Sequence, residues 1–205
     1  MRVFAIGIEL ACYMAVQCPQ HADAREHGRA DIPVSLAPVL TASSNFQGWG
    51  MSATQVLFLC TGNYYRSRYA EELFNVRARS EGLAWRAFSR GAAERGSLDN
   101  VGPMSRFALE ALEAKTIVPE GAARYPLSCT LTDFDQAQLV IALKEAEHRP
   151  LLERRFPEMA KRVVYWHIDD IDIAEPKEAL AMLDNRMQDL ILSLKAAPAQ
   201  RYASF

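Results

Sequence analysis

The sequence predicts an α/β fold, an open doubly wound parallel sheet of about four strands with helices on both faces. Short apolar or β-rich runs alternate with segments of helical period from Gln55 to Leu194. Strands that alternate with helices are joined by crossover connections, which produce a parallel sheet covered on both faces. Half of the 205 residues are hydrophobic, which is enough for one well-buried domain.

The first two strands and the helix between them have clear signals. Gln55–Leu59 is an apolar run that predicts the first strand. The helical spacing of Ala70, Leu73 and Phe74 predicts the helix that follows it. Ala84–Ser89 predicts the second strand.

A second helix and a third strand come next. Pro103 predicts the start of this helix, because proline suits the first helical position. Apolar residues follow at intervals of three and four, namely Met104, Phe107, Ala108, Ala111 and Leu112. Leu139–Leu143 is a continuous apolar run and predicts the third strand.

The remaining segments complete the alternation. Lys144–Phe156 predicts a helix with a break at Pro150, because proline removes a backbone donor. Val163–Ile168 is β-rich and predicts the fourth strand. Pro176 opens a last helix, whose inward face carries Leu180, Leu183, Met187, Leu190, Ile191 and Leu194.

The N-terminal part differs from the rest. Residues 1–53 are expected to form an irregular or disordered extension, and residues 54–205 the folded domain. Cys18–Met51 is rich in Pro, His, Ala, Ser and Gly and lacks a sustained period. Val3–Val16 is interrupted by Glu9 and is shorter than the roughly 20 residues that a membrane helix needs. Residues 1–50 are either an appended extension or an upstream stretch before a true start at Met51, and both interpretations stay open.

Charge and cysteine content exclude some function classes. Lys and Arg total 23 against 25 Asp and Glu, a net charge of -2, so no overall positive field favours nucleic acid. Four scattered cysteines are typical of thiols in a reducing compartment, which predicts a cytoplasmic protein. We expect no membrane partner, no cofactor and no metal, and the oligomeric state is left open.

The residues after the first strand carry the strongest signal for chemistry. Gly62 and Asn63 tolerate left-handed backbone angles, so the loop can turn successive N–H groups toward one centre. The following helix N-terminus and the Arg66 guanidinium add positive charge there, which favours a tetrahedral dianion and the thiolate form of Cys60. The loop reads Cys60, Thr61, Gly62, Asn63, Tyr64, Tyr65, Arg66, Ser67.

This loop resembles that of the low-molecular-weight protein tyrosine phosphatase family, which reads Cys-x-Gly-Asn-x-Cys-Arg-Ser after the first strand. The likeness extends from about Val56 to Leu194, and Phe88–Gly91 is similar to the family's Ser-x-Gly stretch. The resemblance implies that Cys60 attacks a phosphate monoester to form a cysteinyl-phosphate, which water then hydrolyses. It also implies that Arg66 and the loop amides stabilise the phosphoryl oxygens.

The remaining site residues are assigned on the same basis. Substrate binding is expected from Thr61, Gly62, Asn63, Tyr64, Tyr65 and Ser67. Either tyrosine can wall the pocket or pack against the first helix, and Ser67 can donate a hydrogen bond to the thiolate. The implied substrate is a phosphorylated protein or a small aryl phosphate.

The catalytic acid is where the sequence departs from the family. The family carries an Asp-Pro pair after the last strand, and this sequence contains no Asp-Pro. Asp170 falls at the position of the family's acid, with Ile171 in place of the proline, and Asp172 is the next candidate.

Two alternative functions stay open. Thioredoxin-coupled arsenate reductases resemble this fold and loop, but they use further cysteines around the strand that here reads Leu139–Leu143. This sequence has no cysteine in or just after that strand, and Cys129 upstream is expected to be a buried or loop residue rather than a resolving thiol. Tyr65 also replaces the second loop cysteine of many relatives, which removes an immediate disulfide partner. The missing Asp-Pro keeps a non-catalytic phosphate- or phosphotyrosine-binding module under consideration.

Overall fold

The structure, a computed structural model, describes residues 53–96, 100–171 and 173–196. Within these ranges the chain forms four strands and six helices. The strands are β1 Thr54–Cys60, β2 Trp85–Gly91, β3 Leu139–Ala142 and β4 Val164–Tyr165. The helices are α1 Arg66–Ser80, α2 Arg106–Glu113, α3 Leu131–Gln136, α4 Glu145–Arg155, α5 Pro157–Ala160 and α6 Pro176–Ala196.

The four strands form one sheet in the order β2-β1-β3-β4, with all neighbouring pairs parallel. Val56 pairs with Ala87 on one side and with Leu139 on the other, so β1 is central. The predicted α/β class with a four-stranded parallel sheet is confirmed.

Each face of the sheet carries its own hydrophobic core. Successive side chains of a strand point to opposite faces, so Val56 and Phe58 pack with α1, α2 and α6, whereas Leu57 and Leu59 pack with α3, α4 and α5. All four side chains are fully buried. A strand that is apolar at every position therefore belongs in the middle of such a sheet.

Two details of the predicted helices are wrong. Pro103 does not open α2, because Ser105 donates its backbone N–H to the carbonyl of Tyr64, and the helix begins one residue later. Pro150 does not break α4, which runs through it. Leu152 and the C-cap Phe156 anchor that helix in the core, which offsets the one backbone donor that proline lacks.

Two short helices were not predicted, and β4 is shorter than predicted. Asp133 accepts hydrogen bonds from the backbone N–H and the hydroxyl of Thr130, which fixes the start of α3. Pro157 is the first residue of α5. In the sequence, Thr-x-x-Asp is the signal for the start of α3, and a proline after an apolar residue is the signal for the start of α5.

Some of the predictions concern residues outside the described ranges. The expected extension over residues 1–53 is outside the described ranges except for residue 53, and Asp172 is outside them too. Across the part of the chain that the structure describes, no helix combines the length and the apolar character needed to cross a bilayer.

Candidate active site

Cys60 lies where this sheet topology favours a ligand site. The connection from β1 to β2 runs toward one edge of the sheet, and the next connection crosses to β3 on the other side of β1. Open α/β sheets bind ligands outside the carboxyl ends of their strands at such a switch point. Cys60 is the last residue of β1, the central strand.

The loop after Cys60 turns directly into α1. Asn63 has a φ of 52°, the left-handed backbone that asparagine tolerates. Tyr65 is the N-cap of α1, so Arg66 and Ser67 are its first two residues. The thiol sulfur of Cys60 lies 3.0 Å from the hydroxyl oxygen of Ser67. A cysteine at the start of the loop is thereby held against a helix N-terminus.

Hydrogen bonds orient the peptide units of the loop. The carbonyls of Cys60 and Thr61 accept from Ala92 and Ala93, at 2.7 and 3.0 Å, and the carbonyl of Tyr64 accepts from Ser105 at 3.1 Å. In a trans peptide unit the N–H points opposite to the C=O. The N–H groups that follow these three carbonyls therefore point away from the flanking segments, as an anion cradle requires.

The side chain of Asn63 ties this loop to its surroundings. Its amide nitrogen donates to the hydroxyls of Ser67 at 3.1 Å and Ser89 at 2.8 Å. Its carbonyl oxygen accepts from Arg124 at 3.2 Å and from the backbone N–H of Leu127 at 3.0 Å. Asn63 is fully buried. The Asn63 side chain thus holds the loop in place through bonds within the protein. Only the backbone of Asn63 remains to contact a bound anion.

Gly91 allows β2 to approach the loop closely. A Cβ at this position would lie 3.0 Å from the carbonyl oxygen of Thr61 and 3.4 Å from the nitrogen of Asn63. Real Cβ atoms rarely come this close to backbone atoms. The absence of a side chain at the end of β2 therefore lets the loop lie against the strand.

Arg66 is fully buried, and its two terminal nitrogens donate to three residues on two other segments of the chain. Both terminal nitrogens bind Glu147, Nη1 to Oε1 at 3.2 Å and Nη2 to Oε2 at 2.7 Å. Nη1 also donates to the carbonyl of Ile168 at 3.0 Å, and Nη2 to Asp170 at 2.5 Å. The buried Nε has no hydrogen-bond partner among the described residues.

The environment keeps Arg66 charged in spite of its burial. Burial alone would lower the pKa of this guanidinium. The hydrogen bond to Glu147 and the nearby Cys60, Asp170 and Glu147 raise the pKa, and their combined effect exceeds that of burial. A permanent positive charge is therefore held beside the candidate nucleophile.

Asp170 is the predicted acid that the structure brings to the site. It lies after β4 and touches Arg66, and about a third of its side chain is exposed. Its other oxygen accepts the backbone N–H of Ile171 at 2.9 Å. The preceding Asp169 is paired with Lys144 instead.

The two loop tyrosines occupy different surroundings. The Tyr65 ring is buried in the core, and its hydroxyl donates to the carbonyl of Pro176 at 3.0 Å. Burial raises the pKa of Tyr65 well above its ordinary value, and the charge of Asp170 adds to this effect. Tyr64 is half-buried and donates to the carbonyl of Val101 at 2.6 Å. Tyr64 is therefore the one of the two whose ring lies near the protein surface.

Sequence reasoning missed Glu147 and Arg124. Glu147 binds Arg66 and accepts from the hydroxyl of Thr61 at 3.3 Å. Arg124 binds Asn63 and also Glu71, at 2.6 Å. Glu147 lies in the first helical turn after β3, and a carboxylate just beyond the end of a parallel strand was the available signal. Arg124 comes from a loop and had no such signal.

A buried histidine next to Glu147 makes the stability of the fold depend on pH. His148 is fully buried, and its Nδ1 accepts the backbone N–H of Lys144 at 2.9 Å. Burial, with a smaller contribution from the charge of Arg66, lowers the pKa of His148 to about 3. The folded state therefore holds a neutral imidazole, whereas the unfolded chain takes up a proton below about pH 6.5.

We expect this group to reduce the free energy of unfolding as the pH falls from about 6.5 toward 3, by at most about 1.4 kcal/mol per pH unit. Urea denaturation between pH 7 and pH 4 measures the slope. His148→Asn keeps an acceptor for the Lys144 amide and should show a shallower slope than wild type. The control is His167→Asn, because His167 is mostly exposed. Equal slopes for wild type and His148→Asn would contradict the assignment.

A cysteine and an arginine on one loop, at the switch point of a parallel sheet, form the arrangement that a cysteine-based phosphatase requires. Comparison with known families then gives the particular group. The model of the low molecular weight phosphotyrosine protein phosphatases matches residues 55–197. The chain belongs to this family, and the resemblance noted in the sequence is confirmed.

Solved structures agree with this membership. A mutant of YwlE from Bacillus subtilis is 28% identical with a TM-score of 0.57, and the match covers 69% of this chain and 99% of that one. A low molecular weight protein tyrosine phosphatase from T. tengcongensis is 27% identical with a TM-score of 0.57, over 68% and 99%. A YwlE arginine phosphatase mutant with a phosphorylated active-site serine is 26% identical with a TM-score of 0.59, over 73% and 99%. Comparison with curated proteins finds no match.

Proposed function

We propose that this phosphatase hydrolyses phosphotyrosine in proteins, and small aryl phosphates, through a cysteinyl-phosphate on Cys60. The observation that carries the proposal is the loop between Cys60 and Arg66 at the carboxyl end of β1. It has a thiol at its start, a buried guanidinium at its end, and N–H groups of three peptide units directed away from the flanking segments. These groups are what a phosphoryl dianion needs for binding and attack.

In the first step the Cys60 thiolate attacks phosphorus, and the bond from phosphorus to the leaving oxygen breaks. Asp170 donates a proton to that oxygen, which leaves as a phenol. Its contact with Arg66 supports this role, because it puts the carboxyl beside the group that binds the phosphoryl oxygens. Thr61, Gly62 and Tyr65 bind these oxygens through their backbone N–H groups.

In the second step water attacks phosphorus, the sulfur–phosphorus bond breaks, and inorganic phosphate leaves. Asp170 now accepts the proton of the attacking water, as microscopic reversibility requires of the residue that donated one before. Ser67, 3.0 Å from the sulfur, stabilises the thiolate that is released.

Exposed apolar side chains near the site support an aryl substrate. Ile171, directly after Asp170, is about half exposed. Val101, whose backbone carbonyl accepts a hydrogen bond from the Tyr64 hydroxyl, is mostly exposed. We infer that these residues and the half-buried Tyr64 contact the substrate, because a flat phenyl ring buries more apolar area against them than a serine or threonine ester does.

We also propose that residues 54–205 are the catalytic domain, that residues 1–53 are an extension to it, and that the protein is cytoplasmic. The family match over residues 55–197 supports the first part. The two cysteines that the structure describes, Cys60 and Cys129, are free thiols, as is typical of a reducing compartment.

Hydrolysis of three substrates tests the function. We expect wild type to release phosphate from p-nitrophenyl phosphate and from a phosphotyrosine peptide. A phosphoarginine peptide is included because YwlE, one of the similar structures, is an arginine phosphatase. We expect kcat/KM for the phosphotyrosine peptide to be at least about tenfold higher than for the phosphoarginine peptide, because only phosphotyrosine has an aromatic ring to fill an aryl site.

Three other results would contradict the proposal. Preference for phosphoarginine would overturn the substrate class. Phosphate binding without turnover of any substrate would indicate a binding module. Thiol-dependent consumption of arsenate without phosphate release would indicate a reductase.

A further inference from the structure

The Arg66 guanidinium offers two edges to a partner with two oxygens. One edge is formed by Nη1 and Nη2, and the other by Nη2 and Nε. Glu147 occupies the first edge with both carboxylate oxygens, at 3.2 and 2.7 Å. This is the bidentate geometry that fixes a guanidinium in both position and plane.

The remaining donors show what the second edge faces. The other proton of Nη1 goes to the carbonyl of Ile168 at 3.0 Å, and the other proton of Nη2 goes to Asp170. Nε is buried and has no partner within the described ranges. An oxyanion that binds Arg66 therefore finds Nε free, and it gains the whole edge of Nε and Nη2 when it replaces Asp170 at Nη2.

Glu147 is itself well fixed. It lies in the first turn of α4, about three quarters of its side chain is buried, and the hydroxyl of Thr61 donates to it at 3.3 Å. The next residue, His148, is fully buried and bonded to the backbone of Lys144. A fixed carboxylate on a rigid helix is suited to holding another side chain in place.

We propose that Glu147 is a positioning residue, which holds Arg66 by the edge of Nη1 and Nη2 so that the edge of Nη2 and Nε binds the phosphoryl group beside Asp170. The inference rests on the proposed function, in which Arg66 binds phosphoryl oxygens. Glu147 does not touch the substrate and acts through Arg66.

The rival role for Glu147 is that of a competitor, a carboxylate that a phosphate must displace from Arg66. The two roles predict opposite changes. Loss of a competitor would tighten phosphate binding, whereas loss of a positioning residue weakens it. We expect Glu147→Gln to weaken the binding of inorganic phosphate by about tenfold, and Glu147→Ala to weaken it further, because glutamine keeps one acceptor oxygen.

Inorganic phosphate is titrated by calorimetry into Cys60→Ser protein, with and without each Glu147 substitution. This readout needs no turnover, so failure of the hydrolysis assay and failure of this inference are distinguishable. The matched control is Glu145→Gln, since Glu145 lies in the same helical turn but pairs with Arg149. The control should leave phosphate affinity within about twofold of its parent.

A double-mutant cycle separates positioning from a general structural effect. If Glu147 acts through the planar fork of Arg66, Glu147→Gln should change phosphate affinity less than about twofold once Arg66→Lys is present. Thermal unfolding of each variant identifies any that does not fold, and Glu147→Asp replaces such a variant. Tighter binding, full additivity with Arg66→Lys, or no phosphate binding by the parent protein would each overturn the inference.

Discussion

Replacing Cys60 with serine is expected to lower the hydrolysis of p-nitrophenyl phosphate by at least about 10⁴-fold while phosphate binding persists. A serine hydroxyl is a poor nucleophile at neutral pH, but it leaves the loop amides and the Arg66 guanidinium in place. Release of p-nitrophenol measures the first effect, and calorimetry with inorganic phosphate measures the second.

Cys129 provides the matched control for this experiment. It is buried, and burial, together with the charge of Asp133, raises the pKa of its thiol to about 12. A thiol in this state is a weak nucleophile. Cys129→Ala should therefore keep activity within about twofold of wild type. A loss as large as that of Cys60→Ser would contradict the single-cysteine mechanism and favour a reaction that passes between two thiols.

Replacing Asp170 with asparagine is expected to lower kcat by about 10² to 10³-fold for phenyl phosphate, and by less for p-nitrophenyl phosphate. Asparagine has nearly the same shape but cannot donate a proton from a carboxyl group. A nitrophenolate leaves without protonation more readily than a phenolate does, so the loss should depend on the leaving group. Steady-state kinetics with both substrates measures this dependence.

Two neighbouring carboxylates serve as comparisons for Asp170. Asp169 pairs with Lys144, so Asp169→Asn should have little effect on the proton transfer. Asp172 is the other candidate acid from the sequence, and Asp172→Asn tests it directly. If Asp170→Asn slows both substrates equally, Asp170 does not donate the proton. If only Asp172→Asn shows the leaving-group dependence, the acid is Asp172.

The sequence predicted the central parts of the fold because their signals are local. The β1 run and the apolar stripe of α6 each lie in consecutive residues and correspond to buried positions in the structure. The end of β4 depends instead on pairing with another segment. Val164–Tyr165 pairs with β3, whereas His167 forms only an isolated β-bridge with Lys144. The β-rich run 163–168 does not indicate where the regular pairing ends.

The candidate site divides in the same way. The loop from Cys60 to Arg66 is contiguous, so its residue types alone predict an anion cradle. Glu147 and Arg124 reach the loop only because α4 and the segment before α3 fold against it. No spacing in the sequence relates a glutamate to an arginine 81 residues away. Their contribution depends on tertiary structure, which local patterns do not specify.

Backbone contact, rather than side-chain packing, sets the distance between the loop and the end of β2. At Gly91 even a methyl group would force the peptide groups of residues 61–63 to retreat by some tenths of an ångström. Phe88 and Arg90 of the same strand are only half-buried. Positions 88 and 90 can thus vary over evolutionary time while the loop stays at the same depth, provided that position 91 keeps no side chain and Ser89 keeps its hydrogen bond to Asn63.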